Sequence, residues 1–184
     1  MCAAATSGIT RAIVSIPIDR SLTTTRRRIA VVGEQNASPG AEAAAEEVGR
    51  LIAQRGGIVI CGGLSGVMEA AARGASSAGG IVVGLLPDES ASAANPYVTV
   101  PIPTGMGEAR NAIIVRAAHA LIAIGGAYGT LSEIALALRA GIPVIGLETW
   151  RLAKTGDFAD PLVRVGSAAE AVERAWHAAR DRPG

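Results

Sequence analysis

Short apolar runs alternate along the chain with longer stretches whose apolar positions recur every three or four residues, and glycines mark most junctions. Arg28–Val32, Ile58–Cys61, Ile81–Leu86, Leu121–Ile124 and Pro143–Leu147 read as strands. They are continuous rather than alternating, the pattern of parallel strands covered on both faces. Between them the spacing predicts helices from Ser38-Pro39 to about Arg55, Val67 to about Ala78, Gly107 to Ala118 and Leu131 to Ala140. Pro87–Pro96 reads as a loop and Tyr97–Pro101 as a short strand weakened by Pro101 and Pro103. Beyond a loop at 148–160, Leu162–Val165 fits an edge strand, and Ser167 caps a last helix reaching about Arg180.

Strands and helices in this alternation predict one α/β domain, a doubly wound, Rossmann-like, mainly parallel sheet of about six or seven strands with helices on both faces. Ligands of such sheets sit at the carboxyl ends of the strands, where the glycine clusters fall. The helix 131–140 has almost no polar face and is expected to be buried. Residues 1–27 read as a flexible extension preceding a domain at 28–184.

Composition narrows the chemistry. Of 184 residues, 49% are hydrophobic and 18% charged, which excludes a disordered chain. Aromatics at 3% leave little for base-stacking platforms. The net charge of +1 divides into +4 over residues 1–28 and −3 over the rest, so the body lacks the basic excess of a nucleic-acid binder. A single lysine, Lys154, lies far from every glycine motif, which excludes a pyridoxal-phosphate Schiff base and a Walker A loop. No apolar run reaches the length of a membrane span. Cys2 and Cys61 form no framework, and a reducing, cytoplasmic setting follows.

Two glycine loops join strands to helices, Gly62-Gly63-Leu64-Ser65-Gly66 and Gly125-Gly126-Ala127-Tyr128-Gly129-Thr130. Either is explicable as a tight turn. Together they suit an oxyanion held by backbone amides at helix N-termini. Glu133 stands three residues after Thr130, the spacing of a capping box, and also that of a carboxylate beside an anion site. Arg110 shares a helical face with Ile113, Ile114 and Ala117 near a helix start, where the dipole disfavours a cation; it needs an anionic partner, whether Glu108, Glu133 or a ligand phosphate. His119 and His177 have no ligand-spaced neighbours for a metal, and Ser65 has no triad partners.

The segments GGLSGVMEAAARGASSAGGIVVGLLP (62–87) and GGAYGTLSEIALAL (125–138), with Arg110, resemble the signatures of the Lonely Guy-like and molybdenum cofactor carrier superfamily, often mislabelled as lysine decarboxylases. The likeness extends from Arg28 to about Leu147. It implies a ligand site at Gly33, Gly62, Gly63, Gly66, Met68, Asn111, Gly125, Gly126, Gly129 and Thr130. Arg110 and Glu133 match the superfamily's catalytic pair. Asn111 in place of lysine and Ile124 in place of proline look more like the carrier branch. The resemblance thus implies a binding or carrier protein for a phosphorylated small molecule: a nucleoside monophosphate, phosphate or sulfate, or molybdenum cofactor. No other cofactor is required, and a homodimer or higher homo-oligomer is implied. The alternative it implies is an enzyme, a cytokinin-type nucleoside 5′-monophosphate phosphoribohydrolase that cleaves the N-glycosidic bond with Arg110 and Glu133.

Overall fold

The structure, a computed structural model, describes residues 26–153, 155–156 and 159–179. Lys154 and most of the N-terminal segment lie outside the described residues. Seven strands form one sheet: β1 (Arg28–Gly33), β2 (Ile58–Cys61), β3 (Ile81–Leu86), β4 (Val100–Pro103), β5 (Ala120–Ile124), β6 (Val144–Leu147) and β7 (Val163–Val165). Their order is β4-β3-β2-β1-β5-β6-β7 and every pairing is parallel. The helices are α1 (Pro39–Gln54), α2 (Val67–Ser77), α3 (Asn111–Ala117), α4 (Tyr128–Arg139) and α5 (Ala168–Ala178). This is the doubly wound α/β architecture that the pattern predicts.

The continuous apolar runs are explained by the two cores. Ile29 and Val31 of β1 point into a layer shared with α1, α2 and α5, while Ala30 and Val32 point into a layer shared with α3 and α4. Because side chains alternate across a strand, a sheet covered on both faces needs apolar residues at every position. The order reverses at β1, which lies between β2 and β5. That is the switch point, where diverging connections leave a crevice at the strand ends.

One helical layer is unusually thin. A Cβ at Gly49 of α1 would stand 1.9 Å from the carbonyl oxygen of Ala71, and one at Gly74 of α2 would stand 1.8 Å from that of Glu46. The two helices thus touch backbone to backbone, with an Arg73–Glu46 ion pair of 2.8 Å on the rim of the crossing. This explains the alanine and glycine content of both helices: larger side chains would push α1 and α2 apart.

Three sequence expectations are corrected. The strand expected at Tyr97–Pro101 forms at Val100–Pro103 instead. As an edge strand it tolerates prolines whose missing N–H faces away from the ladder, and residues 95–99 are occupied tying the loop down. The continuous helix expected from Gly107 is a 3-10 turn over Gly107–Arg110, followed by α3. The tighter winding breaks the apolar stripe, so Arg110 and Ile114 are buried while Ile113 is exposed. The fourth helix begins at Tyr128 rather than Leu131, because Gly125 and Gly126 turn the chain with positive φ (56° and 117°) and Ala127 already serves as its N-cap. It is also less covered than expected, with Ala135 exposed and Leu131, Leu136 and Leu138 half-buried. Arg27, at the expected boundary of the extension, lies 4.4 Å above the Trp176 ring.

Gly49→Ala and Gly74→Ala should each destabilise the fold by about 1–3 kcal/mol or more through overpacking. Gly40→Ala on the same α1, where a Cβ meets nothing nearer than 4.0 Å, should stay within about 0.5 kcal/mol of wild type. Urea denaturation checks this, and equal effects at all three positions would refute the close crossing.

Candidate functional site

A cavity of about 460 Å³ opens at the carboxyl ends of β1, β2, β3 and β5. From the β1 end come Gly33, Glu34, Gln35 and Asn36; from the β2–α2 loop, Leu64, and from the first turn of α2, Met68; from the end of β3 and the 3-10 turn, Pro87, Gly107, Glu108 and Arg110. Asn111 opens α3, and Ala127, Gly129, Thr130 and Glu133 descend the first turns of α4. Seven of the expected site residues therefore line one cavity: Gly33, Met68, Arg110, Asn111, Gly129, Thr130 and Glu133.

The remaining five, Gly62, Gly63, Gly66, Gly125 and Gly126, do not line it, but each leaves no room for a side chain without a close contact or a positive φ. At Gly62 a Cβ would stand 2.2 Å from Nη1 of Arg110 and 2.6 Å from Sδ of Met68. Any side chain there would evict the guanidinium. Gly66, at φ 65°, packs under the backbone carbonyls of Glu34 and Gln35, and Val67 N donates to the Glu34 carbonyl at 3.1 Å. The first amide of α2 is thereby spent inside the protein. The two glycine loops are thus not equivalent: the first seats Arg110, and the second opens a helix N-terminus to the cavity. Helix geometry leaves the amides of Tyr128, Gly129 and Thr130 without intrahelical acceptors, and a Cβ at Gly129 would meet nothing within 4 Å. The dipole end of α4 adds a partial positive charge there.

The capping box expected of Thr130 and Glu133 does not form. Helix α4 starts two residues before Thr130, and its N-cap, Ala127, has no side-chain cap bond. Thr130 instead packs against Gly126, and Glu133, one turn further on, is buried in the cavity wall. Arg110 is 9% and Glu133 7% exposed. Nε and Nη1 of Arg110 are sealed from solvent and have no hydrogen-bond partner among the described residues. Burial pulls the Arg110 guanidinium below its usual pKa, opposed by the charge of Glu133 and more weakly by Cys61 and Glu108. Burial also raises the Glu133 carboxyl to about 7, against the pull of Arg110. Two ionisable groups thus face one cavity with a field between them but no ion pair. Burial pushes the Cys61 thiol up to about 11, so it remains protonated beneath the site.

Glu34, Gln35, Asn36, Pro87 and Gly107 are cavity residues that sequence reasoning missed, whereas Leu64 and Ala127 belong to the two glycine loops and Glu108 was one of the partners considered for Arg110. The signal of the missed residues is positional: most follow directly on the ends of β1 and β3, at the switch point that the strand order reveals. No group of three or more His, Cys, Asp or Glu side chains able to hold a metal occurs among the described residues. No helix among them is long and apolar enough to cross a membrane.

A parallel sheet with its cavity at the switch point, walled by a helix N-terminus and a buried arginine, defines a Rossmann-like protein with an anion-suited cleft. The chain belongs to the SLOG cluster4 family, which it matches over residues 26–174. An uncharacterized protein of Archaeoglobus fulgidus is 47% identical over 121 residues, 66% of this chain and 80% of its own length. The molybdenum cofactor binding protein of Rippkaea orientalis superposes with a TM-score of 0.78 at 35% identity, over 84% of this chain and 98% of that one. The molybdenum cofactor carrier protein of Chlamydomonas reinhardtii gives 0.75 at 32% identity, over 85% and 99%.

The Glu133 carboxyl predicts a pH dependence. Its folded pKa is raised from 4.5 to about 7. Its contribution to stability is therefore complete below pH 4.5 and is lost as pH rises through 7. Glu133→Gln, neutral throughout, should gain on wild type between pH 5 and pH 8 by up to about 3 kcal/mol. Urea denaturation at the two pH values measures the gain; an equal difference at both would mean that the carboxyl is not desolvated.

Proposed function

We propose that the protein is a binding or carrier protein for a phosphorylated small molecule of molybdenum cofactor or nucleotide type, held in the switch-point cavity. The observation that carries this reading is Arg110: a buried guanidinium with two unpaired donors, lining a cavity whose facing wall is the N-terminus of α4. An unsatisfied buried donor costs roughly 1–3 kcal/mol, and more when charged. Such a residue is retained where an anion completes it. The family membership and the two named molybdenum cofactor proteins support the same reading.

The residues present suit such a ligand. The amides of Tyr128, Gly129 and Thr130 would hold the phosphate, as anions are held at helix starts. Arg110 would balance its charge from the β2 side. Glu133, half-protonated near pH 7, adds little repulsion. The cavity volume matches the lower part of the range typical of small-molecule sites. Gln35, Asn36 and Asn111 line the cavity without bringing charge and can meet polar ligand atoms by hydrogen bonding alone.

A second reading rests on the raised carboxyl. A glutamate with a pKa of about 7 beside a buried arginine is suited to acid–base work. In a phosphoribohydrolase, Glu133 would act at the ribose and Arg110 would steady developing charge. The two readings part on turnover: release of free base and ribose 5-phosphate from AMP or its N6-isopentenyl analogue by wild type, but not by Glu133→Gln, establishes the enzyme.

Self-association is part of the proposal. Val100, Ile102, Met106 and Ile113 are exposed apolar residues, and α4 is less covered than its composition demands. Light scattering of the purified chain should give a dimer or larger.

The carrier reading is tested by incubating purified protein anaerobically with molybdenum cofactor released from a donor enzyme and assaying the cofactor that coelutes. Wild type should retain it. Arg110→Ala should lower retention at least about tenfold, the loss of one charge-assisted contact. Gly129→Asp puts a carboxylate at the start of α4, where it favours the helix but opposes an anion. It should keep or raise Tm while abolishing retention. Retention by both variants would remove the α4 start and Arg110 from the site.

A further inference from the structure

The helices differ in how their first amides are used. Ser38 caps α1 by accepting from Ala41 N at 3.2 Å, and Ser167 caps α5 by accepting from Glu170 N at 3.2 Å. In α2 the first amide donates to the Glu34 carbonyl. Helix α4 has Ala127 as its N-cap and so has no capping side chain. A serine or aspartate there would fix the helix start by occupying the amide of the second or third helical residue, the donors that an anion would need. The start of α4 is held from its carbonyl side instead. The Ala127 carbonyl accepts from Leu131 N at 3.1 Å, the first bond of the helix, and from the indole Nε1 of Trp150 at 3.2 Å.

Trp150, three residues beyond β6, is itself held. Its ring packs against the core layer shared with α3 and α4 and lies 5.7 Å from the Tyr128 ring. Arg164 of β7 grips its backbone: Nη1 donates to the Thr149 carbonyl at 3.1 Å, and Nη2 donates to the Trp150 carbonyl. Asp160 accepts from Nε of the same guanidinium at 2.7 Å, which steadies the fork. Gly146 of β6 leaves the space for it, since a Cβ there would stand 3.1 Å from Nη1 of Arg164.

The Ala127 carbonyl and the Tyr128 N–H belong to one planar peptide. Fixing the carbonyl therefore fixes the direction of the N–H, which points the opposite way, out of the helix start. A hydrogen bond accepted by the carbonyl also polarises that N–H, strengthening it as a donor by roughly 10–30%.

We infer that Trp150 is a positioning residue of the anion site: through the Ala127–Tyr128 peptide its indole N–H aims and strengthens the first open amide of α4, and Arg164 holds it in place. This rests on the phosphate placement proposed above. Trp150 does not line the cavity and acts through the peptide alone.

The test titrates 15N-labelled full-length protein with inorganic phosphate and follows the Gly129 amide and both indole N–H signals. In wild type the Trp150 indole proton should move downfield, because an anion on the Tyr128 N–H makes the Ala127 carbonyl a better acceptor. The Trp176 indole, against Gly57 and Arg27 at the other end of the strands, should stay still. Trp150→Phe keeps a ring but loses the donor, and should weaken phosphate binding about three- to tenfold, the size of one net hydrogen bond. Trp176→Phe, the same chemical change away from the site, should leave phosphate affinity unchanged. A merely structural Trp150 would lower Tm in its variant and leave the phosphate affinity of the folded protein as it was. That result, or a Trp150 indole signal that ignores phosphate, overturns the positioning role, while a Gly129 amide that still responds keeps the anion reading. Should Trp150→Phe not fold, the wild-type indole signal decides alone. If the Gly129 amide ignores phosphate in wild type, both readings fall together.

Discussion

An all-parallel sheet has to be covered on both faces, and in this chain one cover fits only because α1 and α2 cross at van der Waals contact of their backbones. Gly49 and Gly74 permit that contact. With the two helices drawn together, α2 begins close to the end of β1, where Val67 N meets the Glu34 carbonyl and Gly66 slides beneath it. Glu34 of that junction lines the cavity, so the small side chains of the helical layer and one wall of the site answer to the same packing constraint.

The site itself is an exercise in desolvation. Gly62 leaves room for a guanidinium that nothing among the described residues fully satisfies, and the second turn of α4 carries a carboxyl too buried to ionise freely. Each costs the fold some stability. The mutual pull of the two charges is not enough to pair them. Strain of this kind is kept where a ligand relieves it. The helix start opposite supplies fixed dipoles whose orientation needs no adjustment on binding, the arrangement in which electrostatic recognition is strongest.

Much of this was legible in the residues. The strands were, because a doubly covered strand is apolar at every position, and β2 and β3 end where the apolar runs end. Arg110 was legible as a cation in the wrong place on a helix, even though the stripe that marked it breaks at a 3-10 turn. Less legible was the entry to α4. Thr130 and Glu133 have capping-box spacing, but two positive-φ glycines start the helix earlier and turn that spacing into a coincidence. The strand at 97–101 was misplaced because prolines were weighed as breakers, whereas on an edge only the direction of the missing N–H matters. Glu34, Gln35 and Asn36 were silent because lone polar residues after a strand look like any loop. Only the strand order, with its reversal at β1, shows that those loops share a crevice.

The central claim is that Arg110 is held out of water to meet a ligand anion. Arginine side-chain NMR of 15N-labelled protein tests it most directly, with the Arg110 resonances assigned by comparison with Arg110→Lys. A slowly exchanging guanidinium signal that moves on titration with inorganic phosphate or GMP, and does not move in Gly129→Asp, is the result expected. An Arg110 signal that exchanges as fast as those of exposed arginines, or that ignores both ligands, would contradict it.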